Sequence, residues 1–192
     1  MPKRSAADAE DTRLALIAVG RDLFTKKGFS GATTAEIASR AGVTEGAFFH
    51  HFANKKALFA AVFEILEREL TAQALAAARG KAPLERFMAG CAAYLDFAER
   101  GDFSHIVMIE APVVLGQDGW RERDTALGLP AIERGLAGLI EAGIIPKQPT
   151  RALAVLVLGA LNEAGLALAR KEKGLTARGC VKALRNLIAR GD

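Results

Sequence analysis

Residues 33–52 read Thr33-Thr34-Ala35-Glu36-Ile37-Ala38-Ser39-Arg40-Ala41-Gly42-Val43-Thr44-Glu45-Gly46-Ala47-Phe48-Phe49-His50-His51-Phe52. The stretch contains two helix starts. Thr33 and Glu36 form the S/T-x-x-E pattern, in which a hydroxyl caps the helix and the acid reaches back to the cap. Thr44 is a second N-cap residue. Between them Gly42 suits a sharp turn, because glycine adopts a positive φ at little cost. Ile37, Ala38, Ala41, Val43 and Phe48 are spaced to form a small core, and Ala38 is small where two helix axes approach. Two short helices joined by a tight glycine turn make a helix-turn-helix arrangement. The second helix then projects Thr44, Glu45, Gly46, Ala47, Phe49 and His50 outward, a geometry suited to the major groove of double-stranded DNA.

The flanks support this. Upstream, Leu16, Val19, Gly20, Leu23 and Phe24 form one apolar stripe, predicting a helix over 8–27. Lys26 and Lys27 precede Gly28, a C-terminal stop. Downstream, Asn54 caps a helix expected to run to Arg79 before Gly80. Five more helices are predicted at 83–100, 102–115, 120–142, 150–173 and 176–190. Pro112 should break or kink the second of these, and Pro130 should disturb the start of the third. No alternating strand pattern of useful length is present. The fold class is therefore all-α with about nine helices. The expected units are a DNA-binding domain at 1–53, a connecting helix at 54–80, and an effector-binding and dimerisation domain at 81–192.

Composition narrows the class further. The chain has 192 residues, 51% of them apolar, enough to bury a sizeable core. Nine Lys/Arg face six Asp/Glu in residues 1–56, against seventeen and sixteen in the remainder, so most of the +4 net charge lies in the first third. Lys3 and Arg4 precede the first helix and read either as a basic arm toward DNA or as a plain tail. Cys91 and Cys180 show no disulfide or metal spacing, which fits a reducing, cytoplasmic setting. The apolar stretch 152–169 is interrupted by Asn162 and Glu163 and reads as a buried helix, so no membrane partner is expected. The adjacent pair His50-His51 diverges by about 100° on a helix, which argues against metal. No nucleophile–base pair, phosphate loop or metal triad is visible, so neither catalysis nor a cofactor is expected.

Residues 16–60 closely resemble the DNA-binding domain of the TetR (tetracycline repressor-like) family of bacterial regulators. The resemblance rests on Leu23-Phe24, Lys27-Gly28-Phe29, Ala32-Thr33-Thr34, Glu36-Ile37-Ala38, Ala41-Gly42-Val43, Gly46, His51-Phe52, Asn54-Lys55 and Leu58-Phe59. It implies that Thr34, beside Thr33 at the start of its helix, contacts phosphate. It implies that Thr44, Gly46, Phe49, His50 and His51 lie at or near DNA, and that Lys55 contacts phosphate. Two positions depart from the common pattern: Glu45 stands where Lys is frequent, and Phe49 where Tyr is frequent. Both changes reduce generic attraction to phosphate. Glu45 is expected either to accept from a cytosine N4 amine or to cap its own helix. Residues 109–123 and 158–164 also look like one large subgroup whose effectors are uncharacterised.

The remaining chain should supply a twofold mate and a pocket. The helix at 150–173 is apolar nearly all round, so both sides must be covered. Leu153, Leu156, Val157, Ala160, Leu161, Ala164 and Leu168 in it, with Val181, Leu184, Leu187 and Ile188 in the last helix, are the expected homodimer interface. Candidates for lining an effector pocket are Phe87, Cys91, Tyr94, Leu95, Phe103, Ile106, Glu110, Trp120 and Asn162, each with plain core packing as the alternative. Glu110 and Asn162 are polar within apolar stretches and need partners: Arg121, each other, or a ligand. The expected function is a homodimeric, ligand-responsive repressor released from a palindromic operator by a small, largely apolar effector. An activator, or an effector-independent regulator, is the alternative on the same fold.

Overall fold

The computed structural model describes residues 6–189; Lys3 and Arg4 lie outside them. Nine helices follow in order among the described residues: α1 (Ala6–Gly31), α2 (Thr34–Arg40), α3 (Glu45–His51), α4 (Lys55–Ala78), α5 (Pro83–Ala98), α6 (residues 101–114), α7 (Gln117–Glu141), α8 (Thr150–Ala169) and α9 (Ala177–Ile188).

Caps set most of these boundaries. The hydroxyls of Thr33, Thr44 and Thr176 and the side-chain oxygen of Asn54 accept backbone N–H bonds from Glu36, Ala47, Gly179 and Ala57, satisfying donors that a helix start leaves open. Only half of the predicted capping box forms. The Glu36 carboxylate turns to the Lys27 ammonium at 2.7 Å and to the Arg40 guanidinium at 3.0 Å, because charge-assisted bonds outweigh one to a neutral amide. Gly28 has φ 72° and ψ 170°, so the regular part of α1 ends where the sequence placed its stop, and one further turn follows.

Three predicted features take a different form. Pro112 does not simply break α6. The helix widens to a π-helix over Ser104–Glu110, with Gly101–Phe103 before it and Ala111–Val114 after it. The Ala111 N–H reaches back to the Ile106 carbonyl, and this wider ladder makes room for the proline ring and its missing donor. Pro130 lies mid-helix in α7, which begins earlier than predicted and runs through it. Pro130 and Ala126 are both exposed, so water can satisfy the carbonyl that the proline leaves unpaired. The apolar helix α8 ends at Ala169 rather than at residue 173.

Two cores hold the helices. The first joins Phe24, Ile37, Phe48, Phe59 and Phe63 to Phe97, Phe103 and Ile106. It therefore runs without a break from the helix-turn-helix through α4 into α5 and α6. Phe24, Phe48, Phe59 and Phe63 are fully buried, each contributing about 1.5–3 kcal/mol. The second core joins α5, α7, α8 and α9 through Phe87, Leu95, Leu136, Leu161 and Leu184. Ion pairs bridge the first core's elements as well. Arg21 of α1 meets Glu69 of α4 at 2.6 Å and also Asp102 at the start of α6.

Candidate nucleic-acid interface and effector core

Helix α3 is fastened from beneath. Phe48 is fully buried and meets Phe49 edge-on at 5.3 Å between centroids and Phe52 at 6.0 Å. With Phe48 fixed inward, the opposite face looks out: Thr44, Glu45, Gly46, Phe49 and His50 are exposed, and Ala47 and His51 are half-buried. Phe49 is 51% exposed, a large apolar ring packed on Phe48 along one edge and otherwise open to solvent. Thr33 is exposed and Thr34 half-buried at the start of α2. All ten sequence-predicted DNA residues therefore lie along α2, α3 and the first residue of α4.

Three of them have partners that the sequence did not reveal. The Thr34 hydroxyl donates to Glu45 Oε1 at 2.6 Å, tying the start of α2 to the start of α3. Neither expectation for Glu45 anticipated this bond. The Lys55 ammonium donates to the carbonyls of Phe29 and Ala32 at 2.6 and 2.7 Å and lies 4.4 Å from the Phe29 ring centroid. It clamps the turn that follows Gly28, leaving one of its three donors for any other acceptor.

The nine effector candidates do not form one lining. Phe87, Cys91 and Leu95 belong to the second core, Phe103 and Ile106 to the first, and Tyr94 packs on both. Trp120 packs on the first core, and its indole nitrogen is buried without a hydrogen-bond partner. Burial pushes the Cys91 thiol up to about 12, so it carries no thiolate. Glu110 and Asn162 meet neither each other nor Arg121. Both Glu110 carboxylate oxygens accept from the Phe29 backbone N–H, at 2.9 and 2.8 Å, so Glu110 belongs to the junction between α6 and the DNA-binding unit. Asn162 Oδ1 accepts from the Tyr94 hydroxyl at 2.6 Å, and its Nδ2 donates to Asp124 Oδ2 at 2.7 Å.

Asp124, absent from the sequence-derived candidates, opens a polar group that spans four helices. Glu67 of α4 is 5% exposed and Asp124 of α7 is 7% exposed. Burial, and then the neighbouring Asp124, push the Glu67 carboxyl up to about 8. Burial raises Asp124 too, against the opposing hydrogen bond from Asn162. Burial, then Asp124 and Glu67, raise Tyr94. A sequence signal did exist: Glu67 sits within the stripe Phe59, Phe63, Leu66 and Leu70, and Asp124 stands four residues after Trp120.

The expected dimer residues divide by face. Leu156 is 70% and Leu187 74% exposed, and Ala160 is exposed. Leu153, Ala164, Val181 and Ile188 are half-buried. Val157, Leu161, Leu168 and Leu184 are buried in the second core of their own chain and cannot present a face, because α5 and α7 already take that side of α8. Val155, outside the expected set, is 53% exposed. A groove of about 170 Å³ between α8 and α9, walled by Ala160, Ala164, Ala183 and Leu187, lies over Leu161 and Leu184. By length and composition α8 could cross a membrane; here it packs on α5 and α7.

Comparison with known proteins agrees with this architecture along 96% of the chain. Residues 16–62 match the family described as bacterial regulatory proteins, tetR family. Residues 84–191 match the tetracyclin repressor-like C-terminal domain. A crystal structure of a TetR-family transcriptional regulator from Pectobacterium atrosepticum is 32% identical, covers 96% of this chain and 95% of its own, and superposes with a TM-score of 0.80. The HTH-type transcriptional regulator AcrR of Shigella flexneri is 36% identical over 70 residues, 36% of this chain and 33% of that protein. The match thus spans about a third of the length of such curated relatives. AibR, solved in complex with isovaleryl coenzyme A and operator DNA, shares the fold at 18% identity and a TM-score of 0.65, covering 94% of this chain and 100% of that one. A helix-turn-helix built on Phe48, an α-helical C-terminal domain continuous with it, and matches over both halves lead to one conclusion: the chain belongs to the tetR family of bacterial regulatory proteins.

Proposed function

We propose that this chain is a homodimeric transcription regulator of the bacterial cytoplasm, which represses by holding a palindromic operator and leaves it when a small, largely apolar effector binds. Its work is binding rather than catalysis. The observation that carries this reading is the outward face of α3, where Phe49 and His50 stand exposed on a helix anchored by Phe48 and capped by Thr44. An apolar ring and polar groups on one rigid short helix suit the thymine methyls and base edges of a major groove. One such helix reads only half a site. Two, held about 34 Å apart, read a palindrome, and the uncovered apolar faces of α8 and α9 offer a self-complementary surface for a second copy.

Effector response is supported by connectivity. Helix α4 carries Lys55 at the DNA-binding end and Glu67 in the buried polar group of the C-terminal domain. A ligand that separates α4 from α7 would shift the spacing of the two reading helices, and so the population competent for DNA. AibR, which holds both isovaleryl coenzyme A and operator DNA in its crystal structure, supports such a response on this fold.

The test is selection of bound duplexes from a random DNA pool by the purified chain. An enriched palindrome with two half-sites one helical turn apart, whose binding falls steeply with salt, is the expected result. A pool with no enriched sequence would overturn the reading.

A further inference from the structure

We propose that the buried group of Glu67, Asp124, Asn162 and Tyr94 is a recognition site for the ammonium head of an organic cation, the effector class of this regulator. The proposal rests on the ligand-responsive reading above and names its chemistry.

Two carboxyl groups, from α4 and α7, are enclosed in the middle of an apolar domain. Buried acids are ordinarily compensated by a cation or by several donors. Asp124 has one donor, Asn162 Nδ2, and Arg121, which acts on it from the exposed side of α7. Glu67 is nineteen-twentieths buried, and its carboxyl makes no hydrogen bond among the described residues. Asn162 accepts from Tyr94 and donates to Asp124; its bonds among the described residues orient Asp124 and do not reach Glu67. The group therefore has acceptors to spare, and its one cationic neighbour, Arg121, stands outside it on the exposed side of α7.

The surroundings suit an ammonium. Tyr94 meets Phe103 edge-on at 6.4 Å between centroids, and Trp120 packs on the same core one helical turn before Asp124. Aromatic rings in the same core as two carboxyl groups favour a desolvated cation and disfavour an anion. The four side chains close on one another here, so a ligand reaches them by parting α4 from α5, α7 and α8. That movement acts on the helix that bears the reading head.

Proton balance gives the site a distinctive signature. Glu67 is largely protonated near neutral pH, since its carboxyl is pushed up to about 8. An entering ammonium makes the ionised form favourable, and the carboxyl proton leaves to solvent. Binding therefore releases up to about one proton per site.

The full chain is titrated calorimetrically near pH 7, in two buffers of different ionisation heat, with benzylamine, benzyl alcohol and benzoate as probes of similar size. Benzylamine should bind at least about tenfold more tightly than either control, with proton release. Glu67→Gln should still melt cooperatively, lose the proton release and weaken benzylamine about tenfold, and Asp124→Asn should weaken it similarly. Equal or tighter binding of the alcohol or the acid, no binding of benzylamine, or an unchanged Glu67→Gln variant each overturns the proposal. Operator binding by the same preparations without probe is measured first. If it is present while amine binding fails, the effector class is wrong and the regulator stands; if it too is absent, the regulator reading fails.

Discussion

Both carboxylate oxygens of Glu110, in the π-helical part of α6, accept from the single backbone N–H of Phe29, at 2.9 and 2.8 Å. The two residues are far apart in sequence, and the bond joins the C-terminal domain to the turn that ends α1. Gly28 makes the approach feasible, since a Cβ there would lie 2.7 Å from Glu110 Oε1. Glu110→Ala leaves that N–H without its acceptor and should cost about 1–2 kcal/mol in urea unfolding. Glu110→Gln keeps an acceptor and should cost less than about 1 kcal/mol. If alanine and glutamine behave alike, the strut contributes nothing.

Lys55 serves the same turn from the other side, through the Phe29 and Ala32 carbonyls. Its substitution therefore has two effects. Lys55→Ala should lower stability by about 1–3 kcal/mol, because two charge-assisted bonds and a ring contact go together. It should also weaken every DNA sequence alike and reduce the slope of log affinity against log salt by about 1. Stability equal to that of the parent chain would leave phosphate as the sole role of Lys55.

How far the sequence could be read follows from the range of the forces involved. Caps at Thr33, Thr44 and Asn54 and the Gly28 stop are local chemistry, legible in a few residues, and they form where expected. Pairings such as Glu110 with Phe29, Lys55 with Ala32, and Thr34 with Glu45 cross between helices, and no periodicity encodes them. The dimer residues show the same limit. Composition makes α8 apolar all round, but only packing against α5 and α7 decides that Val157 is buried while Val155 and Leu156 are exposed.

The Thr34–Glu45 bond places a carboxylate beside a hydroxyl expected to meet phosphate. On the proposed DNA-binding face Glu45 would act by charge, repelling the phosphate backbone, and it occupies the Thr34 hydroxyl as a donor. Glu45→Gln should tighten binding to the selected operator and to unrelated duplexes by a similar factor, about 3- to 10-fold at physiological salt. A gain confined to sites altered at one base pair would instead make Glu45 a base reader.

Glu67 gives stability a pH dependence of known sign. Its folded value of about 8 lies above the ordinary 4.5, so between those values the unfolded chain is ionised while the folded chain keeps its proton. The contribution is fully present below about pH 4.5 and is lost as pH rises through about 8, an effect on the order of 5 kcal/mol when complete. Unfolding free energy measured from pH 5 to 9 should fall, and Glu67→Gln, which cannot ionise, should flatten that part of the profile. A parent profile that is flat or rising over this range would place the Glu67 carboxyl in an ordinary environment.

The exposed and buried leucines of α8 and α9 allow a test of the dimer that does not confuse association with folding. Leu156 and Leu187 stand 70% and 74% exposed, whereas Leu184 is 8% exposed. A charge at the exposed pair costs the monomer little, since surface substitutions are usually within about 0.5 kcal/mol, but it would bury two unpaired carboxylates in a twofold contact. Leu156→Glu with Leu187→Glu should therefore give a folded monomer by light scattering, with full helical circular dichroism and lost operator binding. Leu184→Glu puts a charge into the core and should unfold the C-terminal helices outright. A double variant that stays dimeric would move the interface away from the α8–α9 face, and a folded Leu184→Glu chain would mean that Leu184 is not the core residue its burial implies.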